Sequence, residues 1–492
     1  MILASLLSED IYCHQNGMKH INIVNNEGFS ALFVVNTPVF DNSGVAHGVE
    51  HMVFRGSTVF PQPETLFQLN SLTDAKINAS TFADTTYFHC QSQCSHTFML
   101  AINYLLNGFF NPIFDAEDLY CEIHDGNDKG VIYQELIGAE QTKKESNEST
   151  DQNNNQNDFC YGGISASIGK LSLNDLTTFH QRFYQASNIT LVTANADVEQ
   201  ISHLISLLPK QDNQSKQIKT ELDKYRKQLQ KNATDKDCIE HHKKKYSQEI
   251  NKLISIYHLW LQDPYYQEID DYREIESANK TLVTNTDTLP VLPGSNLIPP
   301  LVTLSNRLIK ETINDHTINT GIKDLPNKTF LPNLFTKLCQ QAKKQLNSNE
   351  LNHHKNQAYA SDQRNALWLT DIGDTEQKLA NITSYIISAY PRFLAPRCQG
   401  LCYATQTLTI ENSAYLAIYS AFDVNPDTRL KEVPLCLLKL SQDDNFISMS
   451  LALAKIKYCQ AYRINNDQVM NITSTDISAY LQALANNSHP KI

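Results

Sequence analysis

Long apolar runs, an excess of positive charge and an N-terminal targeting pattern are all missing from this chain of 492 residues. No window approaches 18 consecutive apolar residues, which predicts no transmembrane helix and no membrane partner. The net charge of −12 at pH 7 argues against a nucleic-acid partner, because phosphate binding relies on clustered Lys and Arg. The N-terminus has no basic segment followed by an apolar stretch, so we expect no signal or transit peptide and a cytoplasmic location.

Several common catalytic fingerprints are missing as well. The sequence contains neither a P-loop nor a dinucleotide-type glycine motif, and it has no Gly-x-Ser-x-Gly nucleophile elbow. Its 11 cysteines are an odd set without disulfide spacing, which favours a reducing compartment where thiols serve as small apolar core residues. Cys90 and Cys94 have a spacing that a metal could use, but no second ligand pair of standard spacing follows. Structural thiols are therefore the favoured interpretation.

The pattern of predicted elements divides the chain into three parts. Residues 1–208 mix β-branched segments with amphipathic ones and predict an α+β layer domain. Residues 209–300 carry charged helical stretches followed by proline-rich sequence, which predicts a helical hairpin linker. The mixture resumes in residues 301–492. The predicted fold class is α+β, with two related α/β-layer domains, each an antiparallel sheet with flanking helices, joined by the hairpin.

Periodicity and helix-start signals place individual elements within this frame. Ser172 and Asp175 have the form of a capping box and mark a helix start. That helix is predicted over residues 176–183, and the other predicted helices cover residues 45–54, 64–72, 97–106, 129–139, 198–208, 216–231, 241–260, 377–390, 445–462 and 476–486. The predicted strands cover residues 20–24, 31–36, 76–82, 85–91, 189–193, 367–370, 401–410 and 415–421.

The segment His47-Gly48-Val49-Glu50-His51 carries the main chemical signal. Helix positions i and i+4 lie on one face with Cβ atoms about 5–6 Å apart, so His47 and His51 can direct two imidazoles at one ion. Glu50 projects to the same side and can take a proton from water without being a ligand. Catalytic zinc uses three protein ligands and one open position. The motif therefore predicts a zinc site with a third ligand, a carboxylate, on another element.

A structural role for this helix face is the alternative interpretation. A chance match to His-x-x-Glu-His is rare in a chain with 16 histidines, although a single match remains a hypothesis. The sequence around the motif decides between the two interpretations.

The run from Gly44 to Ser57 resembles the active-site helix of the pitrilysin/insulinase family of inverted-motif zinc peptidases, in particular its presequence-protease branch. The resemblance extends through most of residues 10–200, and the segments that carry it include NASTFADTTY from Asn78, FFNP from Phe109, KGVIYQELIGA from Lys129 and YGG from Tyr161. It implies a zinc metalloendopeptidase that binds one Zn²⁺ per chain. In the family, the Glu of the third segment is the last zinc ligand, which assigns this role to Glu135.

Two further groups of residues are carried over from the family. The strand beside the metal binds extended peptides along its edge, and here it comprises Asn78, Ala79, Ser80, Thr81 and Phe82. In the family's last domain, an Arg and a Tyr six residues apart reach over the zinc site. Arg397 and Tyr403 have that spacing, which implies that Arg397 positions the peptide and Tyr403 stabilises the oxyanion. The flanking sequence departs from the family, since its Gly-Gly-Ala-Tyr-Gly appears here as Gly-Leu-Cys-Tyr-Ala.

The chain also departs from the family in length. Presequence-protease-like chains are about twice as long and have four domains, whereas only the first and last, with the hairpin, are recognisable here. The expected function is hydrolysis of short to medium unstructured peptides. The alternatives are a weak or inactive member that acts as a binding or scaffold subunit, or a chain that needs a homodimer or partner subunit to complete the chamber.

Overall fold

The computed structural model describes the chain in segments, namely residues 11–23, 28–82, 85–127, 129–145, 160–208, 330–348, 357–361, 364–372, 377–410, 415–462, 464 and 468–486. The predicted hairpin, residues 209–300, lies outside the described residues. The division of the chain at residues 208 and 300 therefore stays a prediction.

A six-stranded sheet forms the N-terminal part. Its strands are β1 (Ile11–Cys13), β2 (Lys19–Ile23), β3 (Phe29–Asn36), β4 (Lys76–Thr81), β5 (Thr85–Ser92) and β6 (Ile189–Ala194), in the spatial order β1-β2-β6-β3-β5-β4. The prediction of an antiparallel sheet was wrong for one pair, because β2 and β6 run parallel. A parallel pair needs a long crossover, and most of the domain lies between these two strands.

A four-stranded sheet forms the C-terminal part. It consists of β7 (Gln357–Ser361), β8 (Ala366–Asp371), β9 (Ala404–Ile410) and β10 (Tyr415–Ala421), ordered β7-β8-β10-β9, and all of its pairs are antiparallel. The strand predicted over residues 401–410 begins only at Ala404. The α+β class with largely antiparallel sheets is thus confirmed.

Helices flank both sheets. The N-terminal ones are α1 (Val45–Arg55), α2 (Thr65–Leu72), α3 (Ser95–Phe110), α4 (Ala116–Glu122), α5 (Val131–Glu145), α6 (Ser165–Ile168), α7 (Leu173–Phe183) and α8 (Val198–Ser206). The C-terminal ones are α9 (Phe330–Ser348), α10 (Gln377–Ala389), α11 (Pro391–Cys398), α12 (Pro426–Ser441), α13 (Asp444–Tyr462) and α14 (Ser474–Ala485). None of the described helices is long and apolar enough to cross a bilayer.

The predicted capping box is confirmed, since Ser172 and Asp175 bond reciprocally at the start of α7. Sequence reasoning missed α11 and α12, which contain the internal prolines Pro396 and Pro434. Proline lacks an N–H and disfavours a helix interior, so the pattern there argued against a helix.

The two parts share one apolar core. It joins residues of the first sheet, such as Phe33 and Phe88, to helix residues of the second part, such as Ile382 and Leu437. Helices α2 and α10 pack together. The Gln68 side-chain amide donates to the carbonyl oxygen of Ala389 at 3.2 Å. A second, smaller core lies between the four-stranded sheet and α9. The C-terminal part also contacts the motif helix α1, since Arg55 Nη1 donates to the Cys398 carbonyl oxygen at 2.8 Å.

Candidate metal centre

Helix α1 carries the histidine motif, and glycines allow its start to pack closely against a neighbouring loop. Gly44 caps α1 with φ +78°, and Gly163 has φ +85°. A Cβ on Gly163 would lie 2.6 Å from the Gly44 Cα, which real contacts do not allow. This approach brings the Gly162 carbonyl oxygen to 3.0 Å from His47 Nδ1. Glycines at 44 and 163 thus supply both the left-handed backbone and the space that the site requires.

His47, His51 and Glu135 converge as predicted. Their potential ligand atoms all lie within 4.8 Å of one another. Glu135 Oε2 lies 3.6 Å from His47 Nε2 and 3.9 Å from His51 Nε2. Tetrahedral zinc with ligand distances of about 2.0–2.2 Å separates its ligand atoms by roughly 3.3–3.6 Å. The observed distances are therefore close to those that a single zinc ion would set.

Hydrogen bonds fix which nitrogen of each imidazole faces the site. The Gly162 carbonyl can only accept, so His47 Nδ1 donates to it and Nε2 keeps its lone pair. His51 Nδ1 lies 2.8 Å from Glu122 Oε2, an ionised carboxylate that also accepts. Metal-binding histidines in proteins commonly have this arrangement, with the second nitrogen bonded to a carbonyl or carboxylate.

The environment of the Glu135 carboxylate indicates whether a cation fits between the two imidazoles. Its Oε2 is buried and has no hydrogen-bond partner within the described part of the chain. Burying a carboxylate oxygen without a partner is unfavourable, and binding a metal removes that cost. The donor set of two imidazoles and one carboxylate is also one that catalytic zinc uses. The residues present therefore fit a zinc ion.

Glu50 lies on the same face of α1 and is 6% exposed. Burial raises its pKa above the usual value, and the neighbouring imidazoles and a hydrogen bond from Thr81 only partly oppose this effect. Thr81 Oγ1 donates to Glu50 Oε2 at 2.5 Å. A carboxylate with a raised pKa is a better general base than an exposed one. This hydrogen bond also joins the motif helix to strand β4.

Strand β4 carries the residues predicted to bind peptide and lies at the edge of the first sheet. Asn78, Ala79, Ser80 and Thr81 belong to it, and Phe82 follows. The Phe82 side chain is 44% exposed, and its ring contacts that of Tyr87 with centroids 5.2 Å apart.

At Ile77, the backbone groups on the open edge of β4 are already hydrogen-bonded to a side chain from outside the sheet. The Ile77 N–H donates to Asn70 Oδ1 at 2.9 Å, and the Ile77 carbonyl accepts from Asn70 Nδ2 at 3.0 Å. Asn70, from helix α2, therefore occupies the place that an added strand would take at Ile77.

Tyr403 lies near Glu135 and Glu50. The charge of Glu135 is the largest cause that raises the Tyr403 pKa, followed by burial. The phenol therefore stays protonated and can donate a hydrogen bond. Its ring contacts that of Phe422, with centroids 5.9 Å apart.

Sequence reasoning missed Glu122, a buried carboxylate on α4 that contacts three charged or polar groups at the site. Its Oε2 accepts from His51, while its Oε1 accepts from Arg55 Nη1 at 3.1 Å and from Arg397 Nη1 at 3.0 Å. Burial alone would raise the pKa of Glu122, but Arg397, His51 and Arg55 together hold it well below the usual range. Burial lowers the pKa of His51, but the hydrogen bond to Glu122 and the charge of that carboxylate raise it by more, so the net pKa of the imidazole is raised.

No local pattern marks Glu122, because its partners come from distant parts of the chain. The only available signal was helical, since Asp115 caps α4 by accepting from the backbone N–H groups of Glu117 and Asp118. The contact with Arg397 is notable because a role in binding peptide was predicted for that residue.

Comparisons with known proteins give matches in the part of the chain that carries this site. Residues 40–145 match the family model of insulinase, peptidase family M16. The mitochondrial presequence protease of Kluyveromyces lactis is 26% identical over 211 residues, which cover 38% of this chain and 21% of that protein. Its Drosophila melanogaster counterpart is 30% identical over 180 residues, covering 33% of this chain and 17% of that protein. The matched part therefore spans about one fifth of these relatives.

Among solved structures, the periplasmic protease PqqL from Escherichia coli is similar with a TM-score of 0.34 and 12% identity, over 98% of this chain and 47% of that one. Similarity at this level does not bear on function. The sequence matches are the informative ones, and they lie in the part of the chain that holds α1, β4 and α5. By these matches residues 40–145 are similar to the insulinase family, peptidase family M16.

Proposed function

We propose that this chain is a zinc-dependent metalloendopeptidase that hydrolyses short to medium unstructured peptides. One observation carries the proposal: the buried, unpartnered Oε2 of Glu135 lies 3.6 and 3.9 Å from two imidazole nitrogens whose tautomers leave their lone pairs available. His47, His51 and Glu135 would hold the ion. Bound zinc supplies Lewis acidity, which polarises a carbonyl and activates water.

Glu50 is the proposed general base. Its carboxylate accepts a proton from the attacking water and passes it to the nitrogen of the leaving amine. The raised pKa of Glu50 supports both steps, because the group must first hold the proton and then release it. Its burial supports the assignment too, since excluding water strengthens the electrostatic interactions inside the site.

Tyr403 is the proposed donor to the oxyanion that develops on the attacked carbonyl. Its raised pKa keeps the phenol protonated, and a positioned donor of this kind contributes typically about 3–4 kcal/mol to transition-state stabilisation. Arg397 was predicted to donate to peptide carbonyls. Its Nη1 already donates to Glu122 Oε1, so that N–H is not free to bind a peptide.

The peptide is proposed to add as a strand along β4, over Asn78, Ala79, Ser80, Thr81 and Phe82. Main-chain hydrogen bonds at a sheet edge give affinity with little sequence preference, which suits unstructured peptides. Since Asn70 bonds both backbone groups of Ile77, we expect the added strand to pair with residues after Ile77. Thr81 lies at the end of this stretch and contacts Glu50, so a bound peptide would run towards the general base.

Zinc analysis and a peptide-library cleavage assay test the proposal together. We expect stoichiometric zinc and cleavage that a chelator abolishes. Glu50→Gln should retain zinc but lower the cleavage rate about 10²–10⁴-fold. The matched control is Glu117→Gln, which makes the same change at an exposed position on α4 and should leave both unchanged.

A chain that binds no zinc would refute the proposal. Stoichiometric zinc without cleavage of any library peptide would instead favour the alternative of a binding or scaffold subunit. Cleavage that appears only after a second protein is added would favour a partner that completes the chamber.

A further inference from the structure

Glu122 is the most deeply buried charged group near the metal centre outside the proposed ligands and base. Its side chain is 1% exposed. One of its oxygens bonds His51 Nδ1, and the other bonds both Arg55 and Arg397. His51 and Arg55 belong to the motif helix, whereas Arg397 comes from α11 in the C-terminal part. A single carboxylate thus links a proposed metal ligand to the other part of the molecule.

A second set of contacts joins the same two regions. The docking turn, which we define as residues 397–400, begins with Arg397 and ends with Gly400. The Cys398 carbonyl accepts from Arg55 Nη1 at 2.8 Å, and the Gly400 carbonyl accepts from the Gly130 N–H at 2.8 Å. Gly130 immediately precedes α5, the helix that carries Glu135. The docking turn therefore contacts Arg55 on the helix that carries His51 and also contacts Gly130, the residue that precedes the helix carrying Glu135.

The fit at the docking turn is close. Gly400 has φ +76°, and a Cβ there would lie 2.4 Å from the carbonyl oxygen of Cys121, the residue before Glu122. Only glycine allows this approach without displacement of one backbone from the other. The position of Arg397 relative to Glu122 is therefore set by backbone packing as well as by the ion pair.

We propose that Arg397 is a positioning residue of the metal centre, which acts through Glu122 on the orientation of His51, and that the docking turn completes the site from the C-terminal part. The inference rests on the proposed zinc function and gives Arg397 a role different from contact with the peptide. A carboxylate that orients a ligating imidazole typically contributes 10–100-fold to metal affinity. Glu122 can do so only if its buried charge is balanced, and the two guanidinium groups supply that balance.

The two roles of Arg397 predict different measurements. If Arg397 only contacts the peptide, its removal raises KM and leaves the affinity for zinc unchanged. If it acts through Glu122, its removal weakens zinc binding even when no peptide is present. Zinc affinity measured without substrate therefore separates the roles.

The experiment uses the full chain and measures the zinc dissociation constant by competition with a chromogenic chelator. We expect Arg397→Gln to raise this constant about tenfold or more. The matched control is Arg392→Gln, the same change on the same helix at an exposed position, which should leave the constant unchanged. Arg397→Lys retains one cation opposite Glu122 and should give an intermediate value. Far-UV circular dichroism verifies that each variant is folded.

A double-mutant cycle tests the path through Glu122. Glu122→Gln alone should also weaken zinc binding, and adding Arg397→Gln in that background should change the constant by less than about threefold, because the group through which it acts has been altered. Two independent, additive losses would overturn the inference. An unchanged zinc constant in Arg397→Gln with a raised KM would overturn it as well. Failure of the wild-type chain to bind zinc would instead refute the proposed function, so the two failures are distinguishable.

Discussion

Gly400→Ala tests whether the docking turn packs on α4 as closely as the structure indicates. At φ +76° a non-glycine residue costs about 1–2 kcal/mol. The added Cβ would lie 2.4 Å from the Cys121 carbonyl oxygen, and relieving such overpacking typically costs a further 1–3 kcal/mol or so. Because that carbonyl is backbone, it cannot rotate away as a side chain could. We expect Gly400→Ala to lower the free energy of unfolding by about 2–5 kcal/mol.

Gly126→Ala is the matched control for this prediction. Gly126 also has a left-handed backbone, with φ +91°, but a Cβ there would meet nothing within 4 Å. Its substitution carries only the conformational cost of about 1–2 kcal/mol. Urea unfolding followed by circular dichroism gives both values, and their difference isolates the contact between the docking turn and α4. Equal losses in the two variants, within about 0.5 kcal/mol, would refute the close packing.

Two further predictions concern Glu50, the proposed general base, and a buried histidine. Thr81→Val removes the hydroxyl that donates to Glu50 and should lower kcat about tenfold, which corresponds to the typical contribution of a hydrogen bond to a charged group. Thr81→Ser keeps a hydroxyl and should retain the wild-type kcat. Equal kcat values in the two variants would contradict the prediction. Burial lowers the pKa of His20 to about 3. As pH falls below about 6.5, His20 therefore becomes protonated in the unfolded chain but stays neutral in the folded chain. The free energy of unfolding consequently decreases as pH falls. Between pH 7 and pH 5 the unfolding free energy of the wild type should fall about 2 kcal/mol more than that of His20→Gln, while His203→Gln, at an exposed position, should match the wild type.

The proposed ligand set illustrates what a sequence can predict. His47 and His51 are one helical turn apart, so any helix there brings their imidazoles to one face whatever the rest of the fold does. Glu135 required the family resemblance, because 83 residues separate it from His51 and no local rule relates the two. The structure brings the three together, which the family match alone did not guarantee.

Elements with strong local signals were predicted well, and those with conflicting signals were not. The capping box at Ser172 and the hairpin strands β4 and β5 follow from nearby residues alone. Helices α11 and α12 were missed because each contains an internal proline, which disfavours a helix in the sequence, and tertiary packing compensates for that cost in the fold. The parallel pairing of β2 with β6 was missed because pairing partners far apart in sequence leave no local trace.

The sequence by itself determined the donor groups of the proposed site, namely the two imidazoles and the carboxylate on one face of α1. Only the tertiary structure decided how that chemistry is supported. No local signal in the sequence relates Glu122 to Arg397, and their ion pair forms because the docking turn packs on α4. The physical reason is that helix periodicity is a local property of the backbone, whereas a buried charge pair depends on burial and on distances that only the folded chain sets.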